Sequence, residues 1–247
     1  MRIGLLAKHV MFVFKTAWNI RMIETKSDAV RGMFDSIAHR YDLANNVLSG
    51  GAHHLWRRTM ERRMRPCKRA LDIATGTGAL VPYLLNKAST VVGVDFSEGM
   101  LKHVPETLLR DARVSFQRAD ALALPFENGS FDCVTVAFGV RNFECLEDGL
   151  REICRVVKPG GQVLVLEFGQ IRRPIIGALY QTYSRYVLPK LGGLLTGQRQ
   201  AYEYLPETAA RFPCGEDFVQ RLAASGLRGA VCTPLWFGMA YIYDASA

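Results

Sequence analysis

Apolar positions change their spacing along the chain, and each change marks a different kind of structure. From residue 27 the spacing is helical: Ser27 can cap, and Val30, Met33, Phe34 and Ile37 recur at three and four before a break at Tyr41-Asp42. A second helix is predicted over 53–64. The period then shortens, and β-rich runs at 69–73, 90–95, 113–117, 131–137 and 162–167 alternate with helical stretches near 79–87, 97–104 and 146–157. That alternation predicts a doubly wound, mostly parallel α/β sheet. Pro159-Gly160-Gly161 closes one helix and turns into the next strand. Tyr-, Leu- and Pro-rich helices follow from 172 to about 211. The chain closes with a helix at 215–225 and strands at 228–232 and 235–243, whose link is too short for a crossover, so the last strand must be antiparallel.

No repeat, low-complexity tract or linker divides the chain. The pattern predicts one domain over 26–247 with an N-terminal helical cap, behind a basic, apolar extension at 1–25. Residues 1–23 contain no acid, and Arg2, Lys8, Lys15 and Arg21 interrupt the apolar residues every six or seven positions. This excludes a transmembrane helix and a secretory signal. As a helix, Ile3, Leu6, Val10, Val13, Ala17 and Ile20 would share one face, although Leu5 and Phe12 blur it. Three readings stay open for the segment: an interfacial membrane helix, a weak mitochondrial presequence, or a start codon placed upstream of a domain that begins at Met22.

Composition narrows the class. With 247 residues, 49% hydrophobic and 22% charged, the chain is globular. It can bury roughly 70–75% of its unfolded surface without staples. Its six cysteines are scattered, with no C-x-x-C pair and no His cluster at ligand spacing, which points to a reducing compartment and no zinc. The net charge of +8 is uneven: residues 1–70 hold 14 Lys/Arg against 5 Asp/Glu, and residues 71–247 hold 17 against 18. A basic end on a neutral body argues against a general nucleic-acid surface and for local attraction to phosphate or anionic lipid, with simple solubility as the bland alternative.

Candidate chemistry begins at Leu71-Asp72-Ile73-Ala74-Thr75-Gly76-Thr77-Gly78, a strand running into a glycine turn that opens a helix. Alone it could be an ordinary tight turn. The third position of a dinucleotide fingerprint is Val81 rather than glycine, so that pattern is incomplete. Asp95 closes the second strand, 23 residues after Asp72, where a carboxylate can accept both hydroxyls of a ribose. Asp120-Ala121 follows the third strand, suited to an adenine amine and ring nitrogen, although Asp120 could equally cap a turn. This ordered set, with Lys158-Pro159-Gly160-Gly161 and an antiparallel last strand, resembles the Rossmann-like S-adenosylmethionine-dependent methyltransferase fold, which implies seven strands.

After the fourth strand comes Phe138-Gly139-Val140-Arg141-Asn142-Phe143. It resembles the signature of the ubiquinone/menaquinone biosynthesis C-methyltransferases (UbiE/MenG type). The likeness extends upstream through Met33-Phe34-Asp35-Ser36-Ile37-Ala38, Tyr41-Asp42, Asn45 and Gly51-x-His53-x-x-Trp56. Downstream it covers Leu164 to Phe168, Tyr186 to Pro189, Phe212-Pro213 and Phe237 to Ala240, so that residues 30–243 follow the pattern. The resemblance implies a cap at 26–66, a cofactor-binding core at 67–171, substrate-covering helices at 172–213 and a closing helix and strand pair at 214–247. It implies S-adenosylmethionine as methyl donor, held by Asp72, Gly76, Thr77, Gly78, Asp95, Asp120, Ala121 and Ala137, and no metal. Members often carry Ser where this chain has Ala137. The chemistry implied is attack on the sulfonium methyl by a ring carbon of a polyprenyl quinol. Arg141 would stabilise the phenolate, Asn142 and Tyr41 would orient the ring, and His53 and Trp56 would form the substrate cap. Bland alternatives are a surface salt bridge for Arg141 and a helix cap for Asn142. The resemblance further implies no nucleic-acid partner, a homodimer by analogy, and a cytoplasmic protein peripheral at the inner membrane, or a mitochondrial matrix protein in a eukaryote. The expected contact with anionic lipid is through Arg57, Arg58, Arg62, Arg63 and Arg65. The rival readings are a non-catalytic scaffold of a quinone-synthesis complex and an RNA methyltransferase.

Overall fold

The structure is a computed structural model that describes residues 26–247; the expectations for the extension at 1–25 lie outside the described residues. One seven-stranded sheet organises the fold, in the order β3-β2-β1-β4-β5-β7-β6. β1 (Cys67–Ile73), β2 (Ala88–Asp95), β3 (Val114–Arg118), β4 (Phe131–Ala137) and β5 (Val157–Phe168) are mutually parallel. β7 (Ala240–Ser246) inserts antiparallel between β5 and β6 (Arg228–Leu235). The chain passes from β1 outward to β2 and β3 and returns to β4 on the other side of β1. The crevice of such a sheet opens where the order reverses, at the carboxyl ends of β1 and β4.

The helices are α1 (Lys26–Ile37), α2 (Tyr41–Ser49), α3 (Ala52–Arg63), α4 (Val81–Leu84), α5 (Glu98–Leu101), α6 (Glu106–Leu109), α7 (Leu146–Val156), α8 (Pro174–Thr182), α9 (Leu188–Thr196), α10 (Arg199–Arg211) and α11 (Glu216–Ala224). A π-turn at Tyr183–Val187 joins α8 to α9. Strand alternation sends Leu71 and Ile73 to one face of the sheet, against Leu150, Ile153 and Phe218 of α7 and α11. Ala70 goes to the other face, under Trp56 and Met60 of α3 and Leu84 of α4. A third cluster, Ile37, Ala44, Leu188, Ala201 and Tyr202, joins the N-terminal cap to α9 and α10. Together these helices roof the crevice.

The helices expected near 79–87 and 97–104 span only Val81–Leu84 and Glu98–Leu101, and three other differences from the sequence pattern have a visible cause. The first helix ends at Ile37, and after a 3-10 turn at Ala38–Arg40 the next begins at Tyr41, with Asp42 favourably placed in its first turn. A further break falls at Gly50 and Gly51, whose φ values of +55° and +78° end α2 and start α3. β5 starts at Val157 because Lys158–Gly161 bulge out between the register pairs Phe131–Val157 and Cys133–Gln162. The final strands run to 235 and 246 because the corner is a tight turn at Trp236–Gly238. Pro234 is tolerated within β6 because that strand is a sheet edge.

Candidate active site

β1 ends in a turn built from left-handed residues: Ala74, Gly76 and Gly78 have φ of +55°, +59° and +77°. This conformation presents the Gly76 amide to Asp95, whose Oδ2 accepts it at 2.8 Å while Oδ1 accepts the Ser97 amide at 2.8 Å. The carboxylate is therefore aimed by backbone. Burial nonetheless pushes Asp95 up to about 6, against the pull of those amides. Asp120 accepts the Leu122 amide at 2.9 Å, so it does cap its turn while also lining the same cavity. That narrow cavity, about 110 Å³, is walled by Gly76, Asp95, Asp120, Ala121, Ala137 and Asn142 among others. Gly78 lines neither this cavity nor the larger one beside it. A Cβ there would press on Phe116 and Leu108 at 3.1–3.2 Å, so its glycine serves packing against β3.

The larger cavity, about 260 Å³, meets the narrow one at Phe34, Tyr41, Ala74, Gly76, Ala137 and Phe138. Asp72 lies on its wall, buried, accepting the hydroxyls of Thr75 at 2.7 Å and Thr135 at 2.8 Å. Burial pushes Asp72 up to about 6, with the two hydroxyls and the charge of Arg57 opposing. Thr77 donates its hydroxyl to Asp42 of the cap at 2.9 Å. Asp35 of α1 accepts the Ser97 hydroxyl at 2.5 Å and the Gly99 amide at 3.0 Å. Two cap carboxylates thus latch the roof onto the glycine turn after β1 and the loop after β2.

Arg141 sits where the chain leaves β4 through a strained corner. Phe138 has φ +59°, and a Cβ on Gly139 would stand 2.5 Å from the Ala74 Cβ. The Arg141 side chain is only 4% exposed. Its Nη1 donates to Oε1 of the fully buried Glu167 at 2.9 Å and to the Phe138 carbonyl, and its amide donates to Glu167 Oε2 at 3.3 Å. Burial raises the Glu167 carboxyl, and Arg141 opposes that rise. The ion pair is internal, so the surface reading of Arg141 is replaced. Its Nε has no partner among the described residues. Asn142 parts from Arg141: it lines the narrow cavity and accepts the Tyr204 hydroxyl at 3.3 Å. It is not a helix cap, since Cys145 holds that position for α7. Tyr41 stands on the border of the two cavities, edge-on to Phe34 at 5.9 Å.

His53 and Trp56 are buried and line the larger cavity. Burial, helped by Arg57 and His54, lowers His53 to about 4, so the imidazole is neutral at pH 7; its Nδ1 lies 2.6 Å from Ser49 Oγ. Trp56 meets Trp236 and Phe168 edge-on at 5.6 and 6.3 Å. Arg57 overturns its expected place on the basic surface. It is 8% exposed and lines the larger cavity, because it lies one helical turn after His53 on the crevice side of α3. Arg58, Arg62 and Arg65 are exposed and Arg63 is half-buried. Arg65 reaches the Gly160 carbonyl and Ser246 Oγ at 3.3 and 3.4 Å, pinning the C-terminal strand.

Sequence reasoning missed Glu167, Asp35 and Asp42 as working parts of the site. Glu167 carried a signal, a lone carboxylate in the apolar run Val163–Phe168. The two cap aspartates carried none beyond their place in the family motif.

The model of the ubiE/COQ5 methyltransferase family matches residues 22–246. The ubiquinone/menaquinone biosynthesis C-methyltransferase UbiE of Bdellovibrio bacteriovorus is 42% identical over 225 residues, 89% of this chain and 96% of that protein. The demethylmenaquinone methyltransferase of Thermus thermophilus is 45% identical over 217 residues, 85% and 98% of the two chains. Among solved structures, a SAM-dependent methyltransferase from Thermotoga maritima superposes with a TM-score of 0.63 at 19% identity, covering 87% of this chain and 98% of its own. That last likeness bears on the fold alone.

Proposed function

The chain belongs to the ubiE/COQ5 methyltransferase family, and on that premise we propose that it transfers a methyl group from S-adenosylmethionine to a ring carbon of a polyprenyl quinol in menaquinone or ubiquinone biosynthesis. The observation that carries this reading is the meeting of two unlike cavities at Ala74, Gly76, Ala137 and Phe138. One is narrow and holds two carboxylates aimed by backbone amides. The other is wide, aromatic and edged by a buried arginine.

The donor set fits S-adenosylmethionine. Asp95, with each oxygen already oriented by an amide, keeps lone pairs for the two ribose hydroxyls, and Asp120-Ala121 stand where an adenine edge would lie. The bound donor supplies an electrophilic methyl on sulfur. Everything else falls to the chain. A quinol carbon becomes nucleophilic when a neighbouring hydroxyl loses its proton, so the site must stabilise that oxygen. Arg141 does this through its unpartnered Nε, with the guanidinium held rigid by Glu167 and the Phe138 carbonyl. Glu167 offsets part of its charge, so Arg141 works as a preoriented donor; a guanidinium keeps its proton at neutral pH and is not the base. Tyr41, at the border, steers the ring toward the methyl. Asn142 holds Tyr204, a wall of the wide cavity, and so acts on the ring at one remove. His53 and Trp56 close the wide cavity on the cap side, and the aromatic lining excludes water from the charged step.

The prenyl tail calls for a lipid-facing surface, and we place it on α8–α9. These helices turn Tyr180, Tyr183 and Leu188 into the cavity while Ile175 and Leu194 are 79% and 80% exposed and Leu179 is also exposed. The near-neutral total of residues 71–247 conceals a segment, 168–202, with five basic residues and no acid. All five, Arg172, Arg173, Arg185, Lys190 and Arg199, are exposed. Exposed apolar side chains and exposed cations on one acid-free segment suit an anionic membrane interface. No described helix is long and apolar enough to cross a membrane.

Transfer of labelled methyl from S-adenosylmethionine to demethylmenaquinol or to a polyprenyl benzoquinol is the expected result. Donor binding without turnover on either quinol would return the scaffold reading, and steeply salt-dependent methylation of RNA the other rival. For the surface, vesicle co-sedimentation should rise with anionic lipid content and fall in Ile175→Glu/Leu194→Glu. Indifference to both would remove the lipid-facing assignment.

A further inference from the structure

Two arginines line the wide cavity, and they differ in one respect. Arg141 is paired with Glu167. Arg57 has no ion pair among the described residues, and its buried Nε lacks any hydrogen-bond partner. An arginine only 8% exposed, without an ion pair and with Nε unpartnered, is costly unless an anion meets it there. Two observations say where that anion lies. Asp72 feels the charge of Arg57 without touching it, its oxygens being engaged by Thr75 and Thr135. Glu167, which does not line the cavity, is paired with Arg141 instead. Arg57 lines the same cavity as Asp72, Thr75, Gly76 and Thr77 of the β1 turn, and its charge is felt at Asp72.

The wall beside that turn is where a ligand leads when its nucleoside occupies the narrow cavity and its chain passes Gly76 into the wide one. Beyond its sulfur such a donor carries an α-amino acid, with one negative and one positive group. Arg57 and Asp72 offer the opposite pair across the same space. We infer that Arg57 clamps the α-carboxylate of the methyl donor's amino-acid tail. This rests on the reading of the chain as a user of S-adenosylmethionine. A planar fork meets a carboxylate with two parallel N–H donors, which fixes both the distance and the roll of the tail and so the direction of the S–CH3 bond. Arg57 is a binding and positioning residue, and Arg141 keeps the acceptor to itself.

The test is calorimetric titration of the full chain with S-adenosylhomocysteine and with its decarboxylated analogue. Wild type is expected to bind S-adenosylhomocysteine about 10- to 100-fold more tightly than the analogue. Arg57→Gln should lose that preference by weakening S-adenosylhomocysteine alone, with the analogue unchanged within about twofold. Arg57→Lys, which keeps the charge but not the fork, should fall between. If thermal melting shows that the Gln variant does not fold, the Lys variant decides, since a point charge cannot restore the full preference. Equal binding of S-adenosylhomocysteine by wild type and Arg57→Gln would overturn the assignment and leave Arg57 to water. Equal loss of both ligands, or a change confined to the quinol KM, would also overturn it. No binding of S-adenosylhomocysteine by wild type would instead sink the donor reading from which the inference starts.

Discussion

The two cavities share six lining residues yet are held in shape by different means. In the narrow cavity, Asp95 is aimed by the amides of Gly76 and Ser97, and Asp120 by that of Leu122. Backbone does the positioning, and most partners lie within a few residues. In the wide cavity the groups are held by side chains drawn from distant segments: Arg141 by Glu167, Thr77 by Asp42, Tyr204 by Asn142. A turn can orient a carboxylate wherever that turn forms. An internal arginine can be held only once the sheet, the strained Phe138 corner and the roof are all assembled. Damage to the wide cavity should therefore reach stability and chemistry together, and damage to the narrow one should reach donor binding first.

The largest effect is expected from breaking the Arg141–Glu167 pair. Arg141→Ala should lower methyl transfer by about 10²–10³. It should also leave Glu167 buried without its partner, at a cost of about 3–5 kcal/mol in stability by chemical denaturation. Replacing both members by Met should recover most of that stability and none of the activity. Recovery of turnover in the double variant would show that the pair is structural only. Next comes Asp95→Asn, whose Nδ2 cannot accept the second backbone amide and which loses charge-assisted acceptance. S-adenosylhomocysteine affinity should fall about 10-fold with the quinol KM unchanged; a shift confined to the quinol KM would put Asp95 in the wrong cavity.

A smaller effect concerns pH. His53 is lowered to about 4, so the stability it contributes is present above about pH 6.5 and is lost as pH falls through about 4. Asp72 and Asp95 are raised from 3.8 to about 6, so their contribution is present below about pH 4 and is lost as pH rises through about 6. Between those limits the two slopes oppose each other in the unliganded protein. His53→Gln removes one of them, and its Tm should fall more steeply than that of wild type as pH rises from about 4 to about 6, by on the order of 2–4 °C. Superimposable Tm profiles would show that the wide cavity does not hold His53 neutral. The smallest change is Ala137→Ser at the junction. One added hydroxyl should tighten donor binding by about 3-fold, and weaker binding would mean that the junction has no room for it.

Legibility followed the same division. The glycine turn, Asp95 and Asp120 could be read from the chain because their geometry is local, and the parallel sheet with its reversed last strand followed from strand-helix alternation and one short link. Arg57 was misread because charge counts assign arginines to surfaces, whereas the turn of α3 that buries Trp56 also turns Arg57 inward. Asn142 was grouped with Arg141 because they are neighbours in sequence, but a single turn at Val140–Asn142 sends them to different cavities. Asp35 and Asp42 were invisible as latches since their partners, Ser97 and Thr77, lie on loops far along the chain. Features that depended on one backbone segment were readable, and those that depended on two segments meeting were not.

The central claim is that the narrow cavity holds the donor's nucleoside and the wide one performs the chemistry, with Arg141 serving the acceptor and not the donor. It is tested most directly by measuring, on Arg141→Ala that retains a cooperative melt, both S-adenosylhomocysteine affinity by calorimetry and single-turnover transfer of labelled methyl to a polyprenyl quinol. The expected result is donor affinity within about threefold of wild type alongside transfer reduced by about 10² or more. Donor affinity falling in step with transfer, or transfer persisting at the wild-type rate, would contradict it.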